Sequence, residues 1–493
     1  MPPISTLATA RRLVSSGLAR ARSFYETRAS FRRYLLGLCL LGYAVTLVYV
    51  HRSLPDMHID EGFQIALSGR SLGEITQVLT GDMHPPLYSY LLHIWMRVFG
   101  VSVVSARSFS MLTSLAGAGL FYRWLRHRLE ILPALLGTGV YASFAMHLVY
   151  GVVARNYAFL LLAIVATLLY VYTQWSKPLT RARLFGLVAL QSVMLYTHNL
   201  AIPLLAAGYI FFYVSRPTRE RVRHYTLGLL LTGVAFAPWM LVILNQLGIR
   251  SGEVGWLSFE PLGDLHEIAS AVVPKFNGAE RYVAWLIAGG LYLYTSRVWQ
   301  REVSPYARTT AVILGLVIVC MYVLSFRQPL FYDRYLIVTL PLLSYLLAHA
   351  LPKEKLAQIG VGLLIVLVNL AVFHHVQEDF RNGDFYNIEY GLFSTEKSTP
   401  TVIDLPTYYY HLEVLGYEDI HVYDPDRVAP AWSGLALMRP RDYLSSSDLQ
   451  DVRQVQYISQ AGLPFEEYFA RAGYQVVRER DLGSVRVYLL EKQ

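Results

Sequence analysis

The 493-residue chain is 54% hydrophobic and only 16% charged, well under the roughly 25% charge of soluble domains, which excludes an ordinary soluble globule. Its net charge of +8 would suit nucleic acid, but the basic residues fall in short loops between apolar runs, as the positive-inside rule expects of a membrane protein. Cys39 and Cys320 both sit inside apolar runs and read as small buried hydrophobes rather than a disulfide framework.

Taken in chain order, residues 1–33 are basic and Ser-rich, and no short apolar segment with a small-residue cleavage site follows. They are expected to form a cytoplasmic leader rather than a signal peptide. Apolar runs then recur near 34–50, 104–122, 131–149, 154–173, 184–198, 199–214, 225–244, 282–296, 309–325, 333–351 and 357–374. They predict about eleven spans, a bilayer crossing needing about 20 apolar residues. One set of loops carries Arg123, Arg126 and Arg128, then Lys177, Arg181 and Arg183, then Arg216, Arg219, Arg221 and Arg223, and later Arg297, Arg301, Arg308, Lys353 and Lys355. The alternate loops carry far fewer. This places the N-terminus in the cytoplasm and, after an odd number of spans, the C-terminal segment in the periplasm or extracellular space.

Two segments are expected not to span. Residues 51–103 form an outer loop, in which Leu87–Phe99 is apolar but only about a dozen residues long, which suits an interfacial helix. Residues 375–493 read as a small α/β extracytoplasmic domain. Its expected strands lie at 401–405, 421–423 and 434–438, its helices at 408–415 and 465–472, and a hairpin pairs 474–480 with 485–491. Its charges balance, and it shows neither a Gly-rich phosphate loop nor an acid-histidine constellation. A non-catalytic domain that packs over the outer face and helps admit or orient the acceptor is expected. The fold class is therefore an α-helical polytopic membrane protein, 34–374, with a small C-terminal α/β domain.

Ionisable residues in a membrane protein are costly and usually functional. Here they gather at the outer ends of spans and in outer loops: Asp60, Glu61, Asp82, His84, Arg107, His147, Arg155, His198, Asp333 and Arg334. A proton-driven transporter would place acids near the bilayer midplane. A one-sided site instead suits a lipid carrier whose phosphate sits at headgroup depth. Within it, a carboxylate can serve as base toward a hydroxyl, and arginines offer forked donors to phosphate. Pro85 and Pro86 fix the backbone after His84 and direct the next helix. His147 and His198 read as packed or interfacial, His198 in a supporting place. Asp60, Glu61 and Asp82 offer oxygen ligands to a divalent cation, but no Cys/His zinc pattern is present, and no obligatory metal is expected.

The outer loop resembles that of the GT-C glycosyltransferases, in particular the dolichyl-phosphate-mannose protein mannosyltransferases and the bacterial aminoarabinose transferases of lipid A. Asp60-Glu61 matches the Asp-Glu pair of that superfamily's first outer loop, and His84-Pro85-Pro86-Leu87 matches an element of the mannosyltransferases, with Asp82 two residues before it. Ala106-Arg107-Ser108 and Ser114-Leu115-Ala116-Gly117 look similar to the start of the next span. Ala154-Arg155-Asn156-Tyr157 and Asp333-Arg334-Tyr335 look like elements of the bacterial branch. The resemblance covers roughly 34–350. It implies an inverting transferase with a polyprenyl-phosphate-sugar donor and a lipid, glycan or protein acceptor. Asp60 and Glu61 would be its catalytic pair, with His84, Arg107, Arg155 and Arg334 binding the donor phosphate. Two departures limit it: no segment is long enough for the mannosyltransferases' β-trefoil, and His84 stands where the aminoarabinose enzymes have Lys. A lipid-linked-sugar transporter or flippase, and a non-catalytic scaffold that binds lipid phosphate, stay open beside the enzyme.

Overall fold

The structure is a computed structural model that describes residues 29–54, 57, 59–82, 84–175, 177–178, 180–249, 259–261, 304–332, 334–382, 392, 397–423, 437–445, 448–449, 452–460, 466–482 and 485–493. The expected span at 282–296, most of the leader, His58, Asp333 and most of the expected strand at 434–438 lie outside the described residues.

The first helix, α1 (Ala29–Ser53), is apolar along most of its length. It leaves Leu38, Leu41, Val45 and Tyr49 exposed, an outward face that only a lipid environment solvates without cost. Three short helices follow where the sequence suggested one. They are α2 (Ile59–Ser68), α3 (Leu72–Thr80) and α4 (Leu87–Phe99). The apolar stretch expected to lie along the interface is α4 itself. Ser71 and Glu74 close a reciprocal capping box on α3, satisfying donors that a helix start leaves open. Asp60 and Glu61 therefore lie in the first turn of α2 and not in open loop, a placement favoured by the helix dipole.

The remaining helices are α5 (Val103–Arg126), α6 (Ile131–Ser143), α7 (Ala145–Tyr150), α8 (Tyr157–Gln174), α9 (Arg181–Thr197), α10 (Ala201–Val214), α11 (Arg219–Ile249), α12 (Pro305–Ser325), α13 (Leu340–Ala350) and α14 (Lys355–Asn382). Among the described residues, 33–53, Tyr157–Gln174, 219–246 and Pro305–Ser325 are long and apolar enough to cross a membrane. Ile131–Ser143, Ala201–Val214, Tyr335–Ala350 and Lys355–Ala371 are shorter apolar helices. Two expected spans are broken. The run at 131–149 divides at Phe144, whose extended backbone (φ −56°, ψ 132°) separates α6 from α7. The run at 333–351 opens as a 3₁₀ turn, Tyr335–Thr339, before α13. Here Pro341 lacks the N–H a continuous helix needs but is tolerated in the first turn of a new one.

The C-terminal unit is a five-stranded sheet built from β1 (Thr401–Ile403), β2 (Ile420–Val422), β3 (Gln454–Gln460), β4 (Tyr474–Asp481) and β5 (Val485–Lys492). Their order is β2-β1-β3-β5-β4. β1 is parallel to β2 and β3, while β3–β5 and β5–β4 are antiparallel. The central strand β3 has no counterpart among the expected strands. Its polar Gln454, Gln456 and Ser459 interrupt the apolar pattern, although Gln456 and Ser459 are buried. One face packs Ile403, Ile458 and Val487 against Tyr408 and Leu412 of α15 (Pro406–Leu415). The other packs Val402, Tyr457 and Leu490 with Phe469 of α16 (Glu466–Arg471).

α15 also lies against α2. A Cβ added at Gly62 would sit 3.1 Å from the backbone N of His411. Phe63 meets Tyr410 edge-on at 5.6 Å, and Arg70 pairs with Glu413 at 2.7 Å. Arg439 reaches Glu74 of α3 at 2.9 Å. The sheet domain thus presses on the helix that carries Asp60 in its first turn. Gly62→Val is expected to wedge α2 from α15, with an overpacking cost of about 1–3 kcal/mol. Thermal melting of the purified variant should fall by several degrees; an unchanged melting temperature would show that the two helices are not in close contact.

Candidate active site

The polar residues of segment 51–103 join residues from later helices and turns in two groups. The first is buried. Glu61 is 0% exposed and Arg107, on α5, is 2% exposed. Arg107 Nη2 lies 2.7 Å from Glu61 Oε2, and its Nε donates to Oε1 at 3.0 Å. The Ala154 N–H also donates to Glu61 Oε1, at 2.7 Å, and Arg107 Nη1 is 3.4 Å from His51 Nδ1. A forked guanidinium–carboxylate pair with a backbone donor is a saturated arrangement. It bolts α2, α5 and the turn before α8 together. Its geometry differs from the sequence expectation in which Glu61 is catalytic and Arg107 binds phosphate. In the structure the two side chains pair with each other inside the protein.

The second group is more exposed, Asp60 and His84 being about 30% open to solvent. Asp60 Oδ2 lies 3.5 Å from Arg334 Nη1 and 3.9 Å from Arg155 Nε. Arg155 Nη1 is also 3.4 Å from the Asp60 carbonyl oxygen, and its Nη2 is 3.4 Å from His84 Nε2. Asp82 Oδ1 accepts from both the backbone N–H of His84, at 3.0 Å, and its ring Nδ1, at 2.8 Å. Burial alone would raise the pKa of Asp82. Its hydrogen bonds from His84 and the charge of Arg155 outweigh that and hold it below the ordinary carboxylate value. Asp82 therefore orients His84 as an ionised acceptor, which leaves Nε2 facing Arg155. The His198 ring stands perpendicular to that of His84 at 5.5 Å, and Tyr157 and Tyr335 flank it at 5.4 and 6.5 Å. The Arg334 guanidinium lies over the Tyr332 and Tyr335 rings at 5.6 and 5.3 Å, a contact that holds a cation without neutralising it.

Six residues singled out in the sequence thus converge: Asp60, Asp82, His84, Arg155, His198 and Arg334. They come from α2, the turn before α4, the turn before α8, the end of α9 and the segment before α13. His147 does not join them. It is buried behind the site, with Nδ1 2.8 Å from the Tyr141 carbonyl oxygen and Nε2 3.1 Å from Ser114 Oγ. Sequence reasoning missed Gln246, whose side-chain amide donates to the carbonyls of Leu79, at 3.2 Å, Thr80, at 2.9 Å, and Asp82. It thereby anchors the Asp82 turn to α11. A pair of amides, Asn245-Gln246, near the end of an otherwise apolar run was its only signal. Beside the His84 turn, an apolar groove of about 360 Å³ is lined by residues that include Pro86, Leu87, Tyr90, Tyr196 and Trp239.

Such a site can accept a proton at Asp60 and balance an anion with Arg155, Arg334 and His84. Residues 83–242 match the dolichyl-phosphate-mannose-protein mannosyltransferase family. The structure is similar to that of ArnT from Cupriavidus metallidurans in the apo state, with TM-score 0.63 and 14% identity over 92% of this chain and 98% of that one. It is also similar to the same protein bound to undecaprenyl phosphate, with TM-score 0.60 and 15% identity over 94% and 98%. The Archaeoglobus fulgidus oligosaccharyltransferase in the apo form gives TM-score 0.51 and 13% identity over 90% and 72%. No curated protein matches the sequence. The chain thus has the fold of ArnT along nearly its whole length, and its segment 83–242 is similar to the dolichyl-phosphate-mannose-protein mannosyltransferases.

Proposed function

We propose that the chain is an inverting glycosyltransferase of the cell (inner) membrane that moves a sugar from a polyprenyl-phosphate-sugar to an acceptor hydroxyl on the outer face. The proposed topology is about eleven spans, with the N-terminus in the cytoplasm and the sheet domain outside. The observation that carries this reading is the carboxylate of Asp60 set between Arg334 and Arg155, with His84 against Arg155. In the reaction, Asp60 takes the acceptor's O–H proton. The acceptor oxygen attacks the anomeric carbon from the face opposite the phosphate. The anomeric C–O bond breaks and its electron pair leaves on the phosphate oxygen, where Arg155, Arg334 and His84 balance the charge. The same guanidiniums neutralise Asp60 before the donor arrives. A donor phosphate competes for them and releases the carboxylate to act as base. The apolar groove beside the His84 turn suits an isoprenoid chain, and the undecaprenyl phosphate bound by ArnT makes that lipid the first to test. The sheet domain, pressed on α2, is proposed to help admit or orient the acceptor.

Purified protein in detergent, where transport has no meaning, is expected to convert an undecaprenyl-phosphate-linked sugar to free undecaprenyl phosphate when acceptor is present. A flippase or scaffold would leave the donor intact. We also propose that no metal is obligatory, since the site's own cations face the anion. Turnover should survive chelator; its loss, with recovery on adding one divalent ion, would overturn that point.

A further inference from the structure

His198 closes α9 and is only 7% exposed. Its Nδ1 accepts the Leu200 backbone N–H at 3.1 Å. That bond fixes the tautomer of the neutral imidazole: with Nδ1 an acceptor, the proton resides on Nε2. The Nε2 atom is buried and has no hydrogen-bond partner among the described residues. The turn is not loose, because Asn156 Nδ2, next to Arg155, donates to the Thr197 carbonyl at 3.2 Å. A buried N–H without an acceptor is costly and rare. Here it sits among His84, Tyr157 and Tyr335, and Arg155 and Arg334 lie close enough to bear on its charge. A donor placed beside two guanidiniums gains most from an anion and least from a neutral hydroxyl.

We infer that His198 donates a hydrogen bond from Nε2 to the phosphate of the lipid-linked substrate, as the neutral member of an otherwise cationic anion site. This inference rests on the proposed polyprenyl-phosphate donor. A neutral donor fits the site electrostatically. A further fixed cation beside Arg155 and Arg334 would repel them in the unloaded protein and hold the product phosphate after transfer. The competing role is local: Nδ1 as acceptor for the Leu200 N–H, needed only to shape the turn.

Two variants separate these roles because each keeps one ring nitrogen's function. Asn places an acceptor near the Nδ1 position and lacks a group at Nε2; Gln reaches the Nε2 position with an N–H. Binding of undecaprenyl phosphate to the purified full-length protein would be measured for wild type, His198→Gln and His198→Asn, alongside thermal melting. We expect His198→Asn to melt like wild type and bind about tenfold more weakly, the size of one lost hydrogen bond to a charged group, and His198→Gln to stay within about threefold of wild type. Equal binding by His198→Asn and wild type, or a greater loss in His198→Gln than in His198→Asn, overturns the inference. Failure of wild type itself to bind undecaprenyl phosphate would remove the donor reading beneath it, an outcome distinct from either of those.

Discussion

Asp60→Asn is expected to fold, insert and bind polyprenyl phosphate, yet to lose glycosyl transfer by roughly 10²- to 10⁴-fold, the usual contribution of a positioned general base. Asn matches Asp in shape, so α2 and its contacts with α15 should persist. The charge is what changes. Arg334 at 3.5 Å and Arg155 at 3.9 Å lose their anionic neighbour, and both become better partners for phosphate. Binding of undecaprenyl phosphate to this variant should equal or exceed that of wild type while turnover collapses. Measuring both on one preparation makes the result specific, because a misfolded protein would lose both. Normal turnover in Asp60→Asn would sink the base assignment, whatever the binding.

Glu61→Ala is expected to fail differently, through stability. The carboxylate is wholly buried and holds two Arg107 nitrogens and the Ala154 N–H. Removing it strands a buried guanidinium, and breaking such a pair costs about 3–5 kcal/mol. The turn before α8 carries Arg155 next to Ala154, so loosening it also disperses the site. The double variant Glu61→Leu/Arg107→Met should recover much of the lost stability, since replacing both charges by packed apolar groups leaves none unpaired. Unfolding in detergent of the two single variants and the double variant gives the coupling directly. A Glu61→Ala protein as stable as wild type, with turnover alone lost, would restore the catalytic role that the sequence suggested for Glu61.

Both predictions depend on a distinction that neighbouring positions in the chain conceal. Asp60 and Glu61 are adjacent, and helical geometry turns consecutive side chains about 100° apart. One therefore faces Arg155 and Arg334 and the other faces the interior. The sequence shows an acidic pair but, without a helix to orient it, holds no rule for which acid goes where. The helix α2 supplies that rule.

Local signals were enough for much of the rest. Apolar runs of spanning length, the short helix α4 and the terminal hairpin of β4 and β5 all rest on hydropathy and periodicity, which neighbouring residues encode. Asp82, His84, Arg155, His198 and Arg334 were visible as polar residues placed where a membrane protein tolerates few. What local signals could not decide was pairing. Arg107, Arg155 and Arg334 each stand near the start of a helical segment, yet one closes on Glu61 while two flank Asp60. The break at Phe144, the buried central strand β3 and the seat of α15 on α2 through Gly62 were equally hidden, because each is set by what packs against it from elsewhere in the chain. The residue types that gather here were thus determined by the sequence itself. Their division into a buried clamp and a more open cluster around Asp60 was decided only by the tertiary structure, because ion pairing and close packing are choices made across space.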